Sequence, residues 1–395
     1  MTSSVYIAKN VYGGDGLGRL GDGRVVFVPG AWAGEQVKAE IVEEKKNWVK
    51  ARLVEVEDAS EDRIEGGARV PGMVYADLSF RGETAAKEAQ LREALERARI
   101  EVPDFVSAPA ATPDHYRNKA VYHFGMDRGR LVLGYREEPS HRIVDVADDP
   151  LARPEMNAKL PEIRRSVATL LTTGAQAVRS SVEREGSVTV RWTALSGVQW
   201  WIGRQKNPTV MRERTCGKMF DVPSDAFYQV NPEQGELLAK AVVEEYGKGR
   251  ETAPELLDLY CGVGVFGLSA RPPKLVGVES GRQAVEFARR NAALQNFAAA
   301  RFYAEEVGRN AGRLPLNART TVVADPPRGG MEPNVPKAIA DSKAPRLIYV
   351  SCDPATLVRD LRTLVGAYAV ESVRWFNMFP RTARFETLVT LSRKI

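Results

Sequence analysis

Cysteine is scarce in this sequence, since its 395 residues include only Cys216, Cys261 and Cys352. The three lie far apart, no two form a CxxC pair, and no histidine stands at metal-ligand spacing from them. Neither a disulfide framework nor a zinc or iron-sulfur site can be built from this set. A free cysteine is by default a small buried hydrophobic residue, so chemical importance has to come from the surrounding motif.

Long apolar runs and a leader segment are also missing. No stretch approaches the roughly 18 uninterrupted apolar residues of a membrane span. The first ten residues, MTSSVYIAKN, lack the charged region and the apolar stretch of a secretory signal. The sequence therefore predicts a cytoplasmic protein without membrane association, and we expect a monomer.

Charge of one sign is not in large excess, because 56 lysines and arginines stand against 51 aspartates and glutamates. The resulting net charge of +5 is compatible with a polyanionic partner but does not identify one. Hydrophobic residues make up 44% and charged residues 27%, which indicates a globular rather than a disordered chain. At roughly 100 to 200 residues per domain, the length predicts two or three domains.

Three blocks that differ in residue pattern follow one another along the chain. Residues 1–58 hold short strand candidates between the glycine-rich turns GGDGLG and GDG, the pattern of a small β-barrel that binds oligonucleotides or is purely structural. Residues 59–222 mix alternating strands with a polar helix at about 83–99. We expect this helix to pack either within residues 59–222 or on residues 223–395. Residues 223–395 alternate apolar strands with helices, which predicts a parallel sheet buried on both faces.

The sharpest motif is DLYCGVGVFG, which begins at Asp258 and reads as a strand, a glycine turn and a helix. Gly262, Gly264 and Gly267 satisfy GxGxxG, a spacing that lets the backbone pass close beneath a nucleotide. The next predicted strand ends in Glu279, where a carboxylate accepts hydrogen bonds from ribose hydroxyls. NAD and S-adenosylmethionine both fit, and Asp258 followed by an aromatic favours S-adenosylmethionine. A tight turn without a ligand is the remaining alternative.

Three further motifs lie at predicted strand ends. DPPRGG begins with Asp325 directly after the strand 321–324, at the sheet edge where open α/β folds bind ligands. Cys352 ends the next strand, and Pro354 is predicted to begin a helix whose dipole lowers a thiol pKa below about 8.5. Cys352 is therefore a candidate nucleophile on the same edge as Asp325. Glu386 opens the last predicted strand and, taken alone, is more readily a solvated surface charge than a functional residue.

In this order the motifs resemble those of the RNA 5-methyluridine methyltransferase family, and the resemblance covers nearly the whole chain. The segments GDGLG, VFVPG and GEQV are similar to the TRAM domain, a small RNA-binding barrel. YRNK from Tyr116 and SHRIVD from Ser140 resemble central-domain signatures, and FYQVNP resembles the segment whose glutamine, here Gln229, contacts the cofactor. The expected fold is a Rossmann-like α/β methyltransferase domain preceded by this barrel and a mixed α+β central domain.

The resemblance also implies a role for each candidate residue. Cys352 is expected to be the nucleophile and Glu386 the base, with Asp325 beside them. Residues expected around S-adenosylmethionine are Gln229, Tyr260, Gly262, Gly264, Glu279, Glu305 and Asp325. Arg328 is expected to hold base or cofactor and to offset enolate charge. Apart from the resemblance, basic residues such as Arg117, Lys119 and Arg142 either contact RNA phosphates or are solvated surface charges. The predicted reaction is methylation of uridine carbon 5 in ribosomal or transfer RNA through a covalent cysteine adduct at carbon 6.

The chain departs from the family pattern at several positions. Many members carry four cysteines for an iron-sulfur cluster, whereas this chain has RVPGMVYAD from Arg69, so we expect no cluster. Val265 replaces an asparagine in the glycine loop, Arg384 replaces a common histidine, and Asp353 replaces an asparagine after the cysteine. These departures bear on positioning and substrate identity rather than on the reaction class.

Three alternative functions stay open at the level of the sequence. RNA cytosine-C5 methyltransferases use the same covalent chemistry, but they place a cysteine directly after Asp-Pro-Pro, where this chain has Arg328. The glycine spacing by itself also fits an NAD-dependent oxidoreductase. A non-catalytic RNA-binding protein is the third alternative, and the joint presence of Cys352, Asp325 and Glu386 argues against it.

Overall fold

The computed structural model describes residues 2–138, 140–173 and 185–394. The first strands are β1 (Thr2–Asn10), β2 (Gly16–Arg19), β3 (Val25–Val28), β4 (Gln36–Glu44) and β5 (Trp48–Asp58). They close into a barrel in the order β1-β2-β3-β5-β4. Because successive strand residues point to opposite faces, Val5 and Ile7 on β1 and Val37 and Ala39 on β4 fill the interior.

The next elements are α1 (Phe80–Arg97) and β6 (Phe105–Ala108). Helix α1 corresponds to the helix predicted at about 83–99, and the Ser79 side chain caps it by accepting a hydrogen bond from Gly82 N at 3.0 Å. Leu91 and Leu95 of α1 are buried in the same cluster as the strands of the C-terminal sheet. The helix therefore packs on the C-terminal sheet.

The central region has its own sheet and a hairpin. Its elements are β7 (Lys119–Asp127), β8 (Arg130–Arg136), β9 (Ile143–Asp145), α2 (Pro154–Asn157), α3 (Leu160–Thr173), β10 (Glu185–Thr193), β11 (Gly197–Ile202), β12 (Val210–Thr215) and β13 (Lys218–Pro223). The sheet runs β11-β10-β7-β8-β9, and β12 pairs with β13. Phe220 and Val222 of β13 join the apolar cluster that includes Leu256 and Ile348, so the hairpin is anchored to the C-terminal region.

The C-terminal region is a sheet with helices on both faces. Its elements are α4 (Pro232–Gly249), β14 (Glu255–Leu259), α5 (Val265–Ala270), β15 (Lys274–Glu279), α6 (Arg282–Leu294), β16 (Ala300–Ala304), a 3-10 turn (Gly308–Arg313), β17 (Thr320–Ala324), α7 (Asn334–Asp341), β18 (Arg346–Ser351), α8 (Pro354–Leu364), β19 (Tyr368–Phe376) and β20 (Glu386–Arg393). Its eight strands run β16-β15-β14-β17-β18-β20-β19-β6. The five strands from β16 to β18 are parallel, and β20 is antiparallel to β18. The predicted α/β fold class, with a barrel and a mixed central region before it, is confirmed.

One strand of the C-terminal sheet comes from the central block of the sequence, residues 59–222. Strand β6 falls within residues 59–222, yet it pairs with β19 at the edge of the C-terminal sheet, with Val373 opposite Phe105. The pairing joins residues far apart in sequence, which no local pattern reveals. No helix among the described residues has the length and apolar character needed to cross a membrane.

A buried polar network fixes the loop that leads into β20. Glu83 Oε1 accepts hydrogen bonds from Lys87 Nζ at 2.7 Å, from Asn377 Nδ2 at 3.1 Å and from Arg381 N at 3.0 Å. Both Glu83 and Lys87 lie on α1 and are fully buried. Since a buried charge is stable only when it is paired and hydrogen-bonded, this network ties the loop firmly to α1.

Candidate active site

The ends of the central parallel strands bring several predicted residues to one edge of the sheet. In the strand register Leu259 is opposite Ala324, so Tyr260 and Asp325 leave adjacent strands side by side. Cys352 directly follows β18, the strand next to β17. The sheet therefore places the glycine turn, Asp325 and Cys352 at its carboxyl edge, where ligands bind in open α/β folds.

Glu386 reaches this edge from the antiparallel strand β20. Ser351 pairs with Thr387, so the next residue along β18, Cys352, faces the preceding residue on β20, Glu386. Opposed residues of antiparallel strands place their side chains on one face, roughly 5 Å apart at Cβ. The thiol and the carboxyl group therefore meet at one spot, although a helix and a strand separate them along the chain.

The thiol of Cys352 has a raised pKa, contrary to the sequence prediction. Burial is the main cause, nearby Glu386 and Asp325 add to it, and together they raise the pKa of Cys352 to about 12. Arg384 acts in the opposite direction. Helix α8 does begin at Pro354, but burial and two carboxyl groups outweigh its dipole. Forming a thiolate therefore requires a base or a change of charge nearby.

The two carboxyl groups beside Cys352 also bind protons more tightly than usual. Burial raises the pKa of Asp325 to about 7. Burial and the proximity of Asp325 raise the pKa of Glu386 well above its usual value, against the opposing charge of Arg384. Glu386 Oε2 and Arg384 Nη1 are buried without a hydrogen-bond partner among the described residues. Asp325 is thus able to exchange a proton near neutral pH.

A cleft opens beside this cluster, with about 680 Å³ of empty space when its open mouth is included. Its walls include Gln229, Tyr260, Gly262 and Asp325. Gln229 Oε1 is buried there without a partner among the described residues, and Gly264 adopts φ +86°, a left-handed conformation that favours glycine. A nucleoside ligand fits a cleft of this size, with its unpaired acceptor and close backbone.

Glu279 lies at the glycine turn, as the sequence predicted. Its Oε2 accepts a hydrogen bond from Gly262 N at 3.2 Å, and its Oε1 accepts from Gly281 N at 2.7 Å. Glu305 donates its backbone N–H to the Glu279 carbonyl at 2.9 Å, while its side chain is exposed. The backbone thus fixes the Glu279 carboxylate and leaves it acceptor capacity for hydroxyl groups.

Tyr260 occupies an unusual backbone conformation at the cleft wall. Its φ is +60°, which is uncommon for a non-glycine residue. The Tyr260 hydroxyl donates a hydrogen bond to Glu332. Strained backbone of this kind is concentrated at ligand sites, where the surrounding structure holds it.

Comparison with known proteins identifies the family to which this chain belongs. The family model for tRNA (uracil-5-)-methyltransferases matches residues 212–394, and the TRAM domain model matches residues 5–54. An uncharacterized RNA methyltransferase of Gloeobacter violaceus is 32% identical, over 99% of this chain and 96% of that protein. A second one, from Halalkalibacterium halodurans, is 30% identical over 99% and 96%. The chain belongs to the RNA 5-methyluridine methyltransferase family.

A solved structure agrees with this membership at the level of the fold. The tRNA (uracil-54, C5)-methyltransferase of Pyrococcus abyssi, determined with S-adenosyl-L-homocysteine, superposes with a TM-score of 0.75 and 22% identity. The match covers 98% of this chain and all of the other. As a member of this family the protein is an RNA methyltransferase, which speaks against an NAD-dependent oxidoreductase.

The four basic residues predicted to contact RNA, base or cofactor differ in how exposed they are. Arg328 is exposed in the loop after Asp325. Lys119 Nζ donates hydrogen bonds to the carbonyls of Asp225 at 3.0 Å and Ala226 at 3.2 Å, and burial lowers its pKa to about 8. Arg117 is half-buried beside Tyr116, Tyr135 and Asp149 and does not line the cleft. Arg142 is exposed. Lys119 and Arg117 are thus partly buried, whereas Arg328 and Arg142 are exposed.

Glu213 and Phe227 are among the cleft residues that sequence reasoning missed. Glu213 of β12 lines the cleft, and burial raises the pKa of this carboxyl group to about 7 although Arg191 lies 3.3 Å away. No local signal marks a glutamate in an alternating strand. Phe227 lines the cleft and is 73% exposed; an aromatic in the FYQVNP motif was the available signal.

Asp258, the residue that favoured S-adenosylmethionine in the sequence, is fully buried beneath the glycine turn of the methyltransferase. Its Oδ2 accepts a hydrogen bond from Gly267 N at 2.9 Å, yet burial raises its pKa to about 7. In the unfolded chain an aspartate has a pKa of roughly 3.9. Between these values the folded state holds a proton that the unfolded state has released, so stability is lost as the pH rises through the folded pKa.

We expect Asp258→Asn to flatten this pH dependence. In the native protein the Asp258 component of the unfolding free energy falls between pH 4 and 7 by at most about 1.4 kcal/mol per pH unit. An asparagine retains an acceptor for Gly267 and has no proton to lose. Urea unfolding at pH 5, 6, 7 and 8 measures the difference, with exposed Asp341→Asn as the control. Equal slopes in the Asp258 variant and the native protein would contradict the assignment.

Proposed function

We propose that this enzyme methylates carbon 5 of a uridine in transfer or ribosomal RNA through a covalent bond between Cys352 Sγ and carbon 6. The observation that carries the proposal is the opposition of Cys352 and Glu386 across β18 and β20, with Asp325 beside them at the mouth of a nucleoside-sized cleft. A nucleophile and a proton acceptor on one face are what carbon 5 methylation needs.

The first step of the proposed reaction is addition of the thiolate. Cys352 loses its proton to a neighbouring carboxylate, and Asp325, whose pKa is raised to about 7, is available as the acceptor. The Sγ–C6 bond forms, the C5–C6 double bond opens, and its electron pair passes to carbon 5 and the carbon 4 oxygen as an enolate. Arg384, which has a free buried N–H, lies near the thiol and offsets this negative charge.

The last step restores the ring. Bound S-adenosylmethionine supplies the electrophilic methyl group that carbon 5 accepts. Glu386 then takes the proton from carbon 5, the C5–C6 double bond forms again, and the Sγ–C6 bond breaks with its electrons returning to sulfur. Glu386 has to be ionised to accept this proton, and a raised pKa then makes its carboxylate a stronger base.

The cofactor residues follow from the cleft. Gln229 offers an unpaired Oε1, and Tyr260 and the glycine turn form the floor beside Asp325. We assign the ribose hydroxyls to Glu279, at the glycine turn, and the approach to the base to Glu305, whose side chain is exposed. Val265 lines the same cleft without a polar group, so the other residues carry the polar contacts with the cofactor.

RNA has to present an unstacked uridine to this site. The uracil ring is inaccessible within a helix, so a loop or a flipped nucleotide is the natural substrate. Phe227, with its 73% exposed ring at the cleft, offers a surface on which a base stacks. The barrel, which matches the TRAM model, and exposed Arg328 and Arg142 supply the RNA contacts.

The experiment that tests the function is mapping of 5-methyluridine. RNA from cells with and without the protein is compared, and RNA from the deficient cells is then treated with purified enzyme and S-adenosylmethionine. Transfer RNA is the first substrate to test, because the matching family model and the solved relative both carry tRNA in their names. Methyl transfer to cytidine, or to neither base, would contradict the proposal.

Removal of the Glu279 carboxylate is expected to weaken cofactor binding. We expect Glu279→Ala to raise the Kd for S-adenosylmethionine roughly 10-fold to 100-fold, because a hydrogen bond to a charged group contributes about 1.5 to 3 kcal/mol. Glu286→Ala removes the same charge from the exposed face of α6 and is the matched control. Isothermal titration calorimetry gives both values, and equal affinities would remove Glu279 from the ribose site.

A further inference from the structure

A side chain from the N-terminal barrel reaches the active-site cluster. Tyr12 lies in the turn after β1, and its hydroxyl is 3.5 Å from Asp353 Oδ2. Its ring meets the ring of Phe385 edge-on, with 5.8 Å between centroids and 79° between planes. Asp353 directly follows Cys352, and Phe385 directly precedes Glu386. One barrel residue thus contacts the neighbours of both groups to which we assign the chemistry.

We propose that Tyr12 is a positioning residue of the methyltransferase site, which holds the ends of β18 and β20 so that Cys352 and Glu386 face the same uridine. The inference rests on the proposed function. It also gives the barrel a second role, because the barrel then completes the geometry of the catalytic pair besides contributing to RNA binding.

The contact with Asp353 acts on the residue that starts helix α8. Asp353 Oδ1 accepts hydrogen bonds from Ala355 N at 3.0 Å and Thr356 N at 3.2 Å, which caps the helix. The other oxygen, Oδ2, is directed to Tyr12. Because Asp353 adjoins Cys352, this cap fixes the chain at the start of α8 directly beside the cysteine.

The hydroxyl of Tyr12 stays protonated in this setting. Burial and the charge of Asp353 raise its pKa to about 12, although Arg384 and Arg328 oppose the shift. The nearby Cys352 thiol also raises the pKa of Tyr12, as Asp353 does. At neutral pH Tyr12 is therefore a hydrogen-bond donor toward the carboxylate and not a competing base.

The turn that carries Tyr12 is held in one conformation. Val11 N donates to the Asp15 carbonyl at 2.9 Å, and Gly14 N donates to the Val11 carbonyl at 2.9 Å. Asn10 Nδ2, which is buried, donates to the Ala31 carbonyl at 2.9 Å within the barrel. Outside the turn, Lys9 pairs with Glu93 of α1. Tyr12 is therefore fixed to the barrel and to the helix that packs on the catalytic sheet.

Steady-state kinetics of Tyr12 variants separate positioning from RNA binding. We expect Tyr12→Ala to lower kcat 10-fold to 100-fold, with KM for RNA and Kd for S-adenosylmethionine each within threefold of the native values. Tyr12→Phe should keep kcat within threefold, because it retains the ring contact with Phe385 and loses only a long hydrogen bond. Leu294→Ala removes an exposed apolar side chain from α6 and should leave kcat unchanged.

A second measurement follows the covalent step itself. In a Glu386→Gln background, Tyr12→Ala should slow formation of the protein–RNA adduct at least 10-fold in a single turnover, at saturating RNA. Tyr12→Leu, which keeps an apolar side chain beside Phe385, should lie between Ala and Phe and serves if the alanine variant fails to fold.

Three results would overturn the positioning role. They are an unchanged kcat with a raised KM in Tyr12→Ala, an unchanged adduct rate, or a loss in Tyr12→Phe as large as that in Tyr12→Ala, which would assign chemistry to the hydroxyl. The proposed function fails separately, if the native enzyme itself makes no 5-methyluridine.

Discussion

Replacement of Cys352 by alanine is expected to lower methyl transfer on the order of 10⁴-fold or more, since loss of a covalent nucleophile removes the pathway on which the other groups act. Cofactor binding should stay within twofold of the native value, because Cys352 is not among the residues that line the cleft. Tritium transfer from labelled S-adenosylmethionine to RNA measures turnover, and calorimetry measures binding.

Cys216→Ala is the matched control for this experiment. Cys216 is also a free, half-buried cysteine, and its backbone N–H donates to Glu236 at 2.8 Å, outside the cluster around Cys352. Native turnover in this variant, together with loss in Cys352→Ala, assigns the reaction to one sulfur atom. Retained turnover in Cys352→Ala would contradict the covalent mechanism, although it would not affect the family membership.

Replacement of Glu386 by glutamine is expected to stop the reaction after methyl transfer, with the RNA still bound to the protein. The amide cannot accept the carbon 5 proton, so elimination of Cys352 is blocked and kcat should fall roughly 10²-fold to 10⁴-fold. Glutamine has nearly the same shape, and Glu386 Oε2 has no hydrogen-bond partner to lose among the described residues. The adduct should survive a denaturing gel.

The double variant Cys352→Ala with Glu386→Gln is the control for that adduct. It should show no retarded band, since the bond to carbon 6 comes from the Cys352 sulfur. The assignment of Glu386 as the base would be wrong if the Glu386→Gln enzyme turned over at the native rate or showed no adduct at any pH. Asp325, which faces the same cluster, is then the group to test.

Much of this site was predictable because it depends on local sequence. Apolar strands that lead into Tyr260, Asp325 and Cys352 indicated a parallel sheet, and parallel strands present their carboxyl ends at one edge. Glu279 was predictable for the same reason, since it ends the strand that follows the glycine turn. A residue whose position depends only on its own strand can be placed from its sequence.

The rest depends on contacts that cross the chain. Glu386 meets Cys352 because β20 runs antiparallel to β18 with Ser351 opposite Thr387, and no local pattern fixes that register. The thiol pKa was predicted in the wrong direction because the helix dipole is a local effect, whereas burial and the carboxyl groups come from tertiary packing. Glu213 and Tyr12 reach the site from the hairpin and the barrel, so their own sequences gave no sign of it.

The absence of an iron-sulfur cluster stays a prediction. In the structure, the segment from Arg69 contributes Val70, Met73 and Ala76 to a small apolar cluster with Leu151. Tyr75 packs on Trp32, with ring centroids 5.7 Å apart. These side chains give this stretch a core of its own, which holds it beside the barrel by packing.

The order of the strands has a consequence for biosynthesis. Strand β20 follows β19 along the chain, yet it inserts between β18 and β19. Until the ribosome has delivered residues 386–393, two neighbouring strands expose unpaired edges, which invite association with other nascent chains. Truncated translation products should therefore be prone to aggregate, and they lack one partner of the thiol–carboxyl pair.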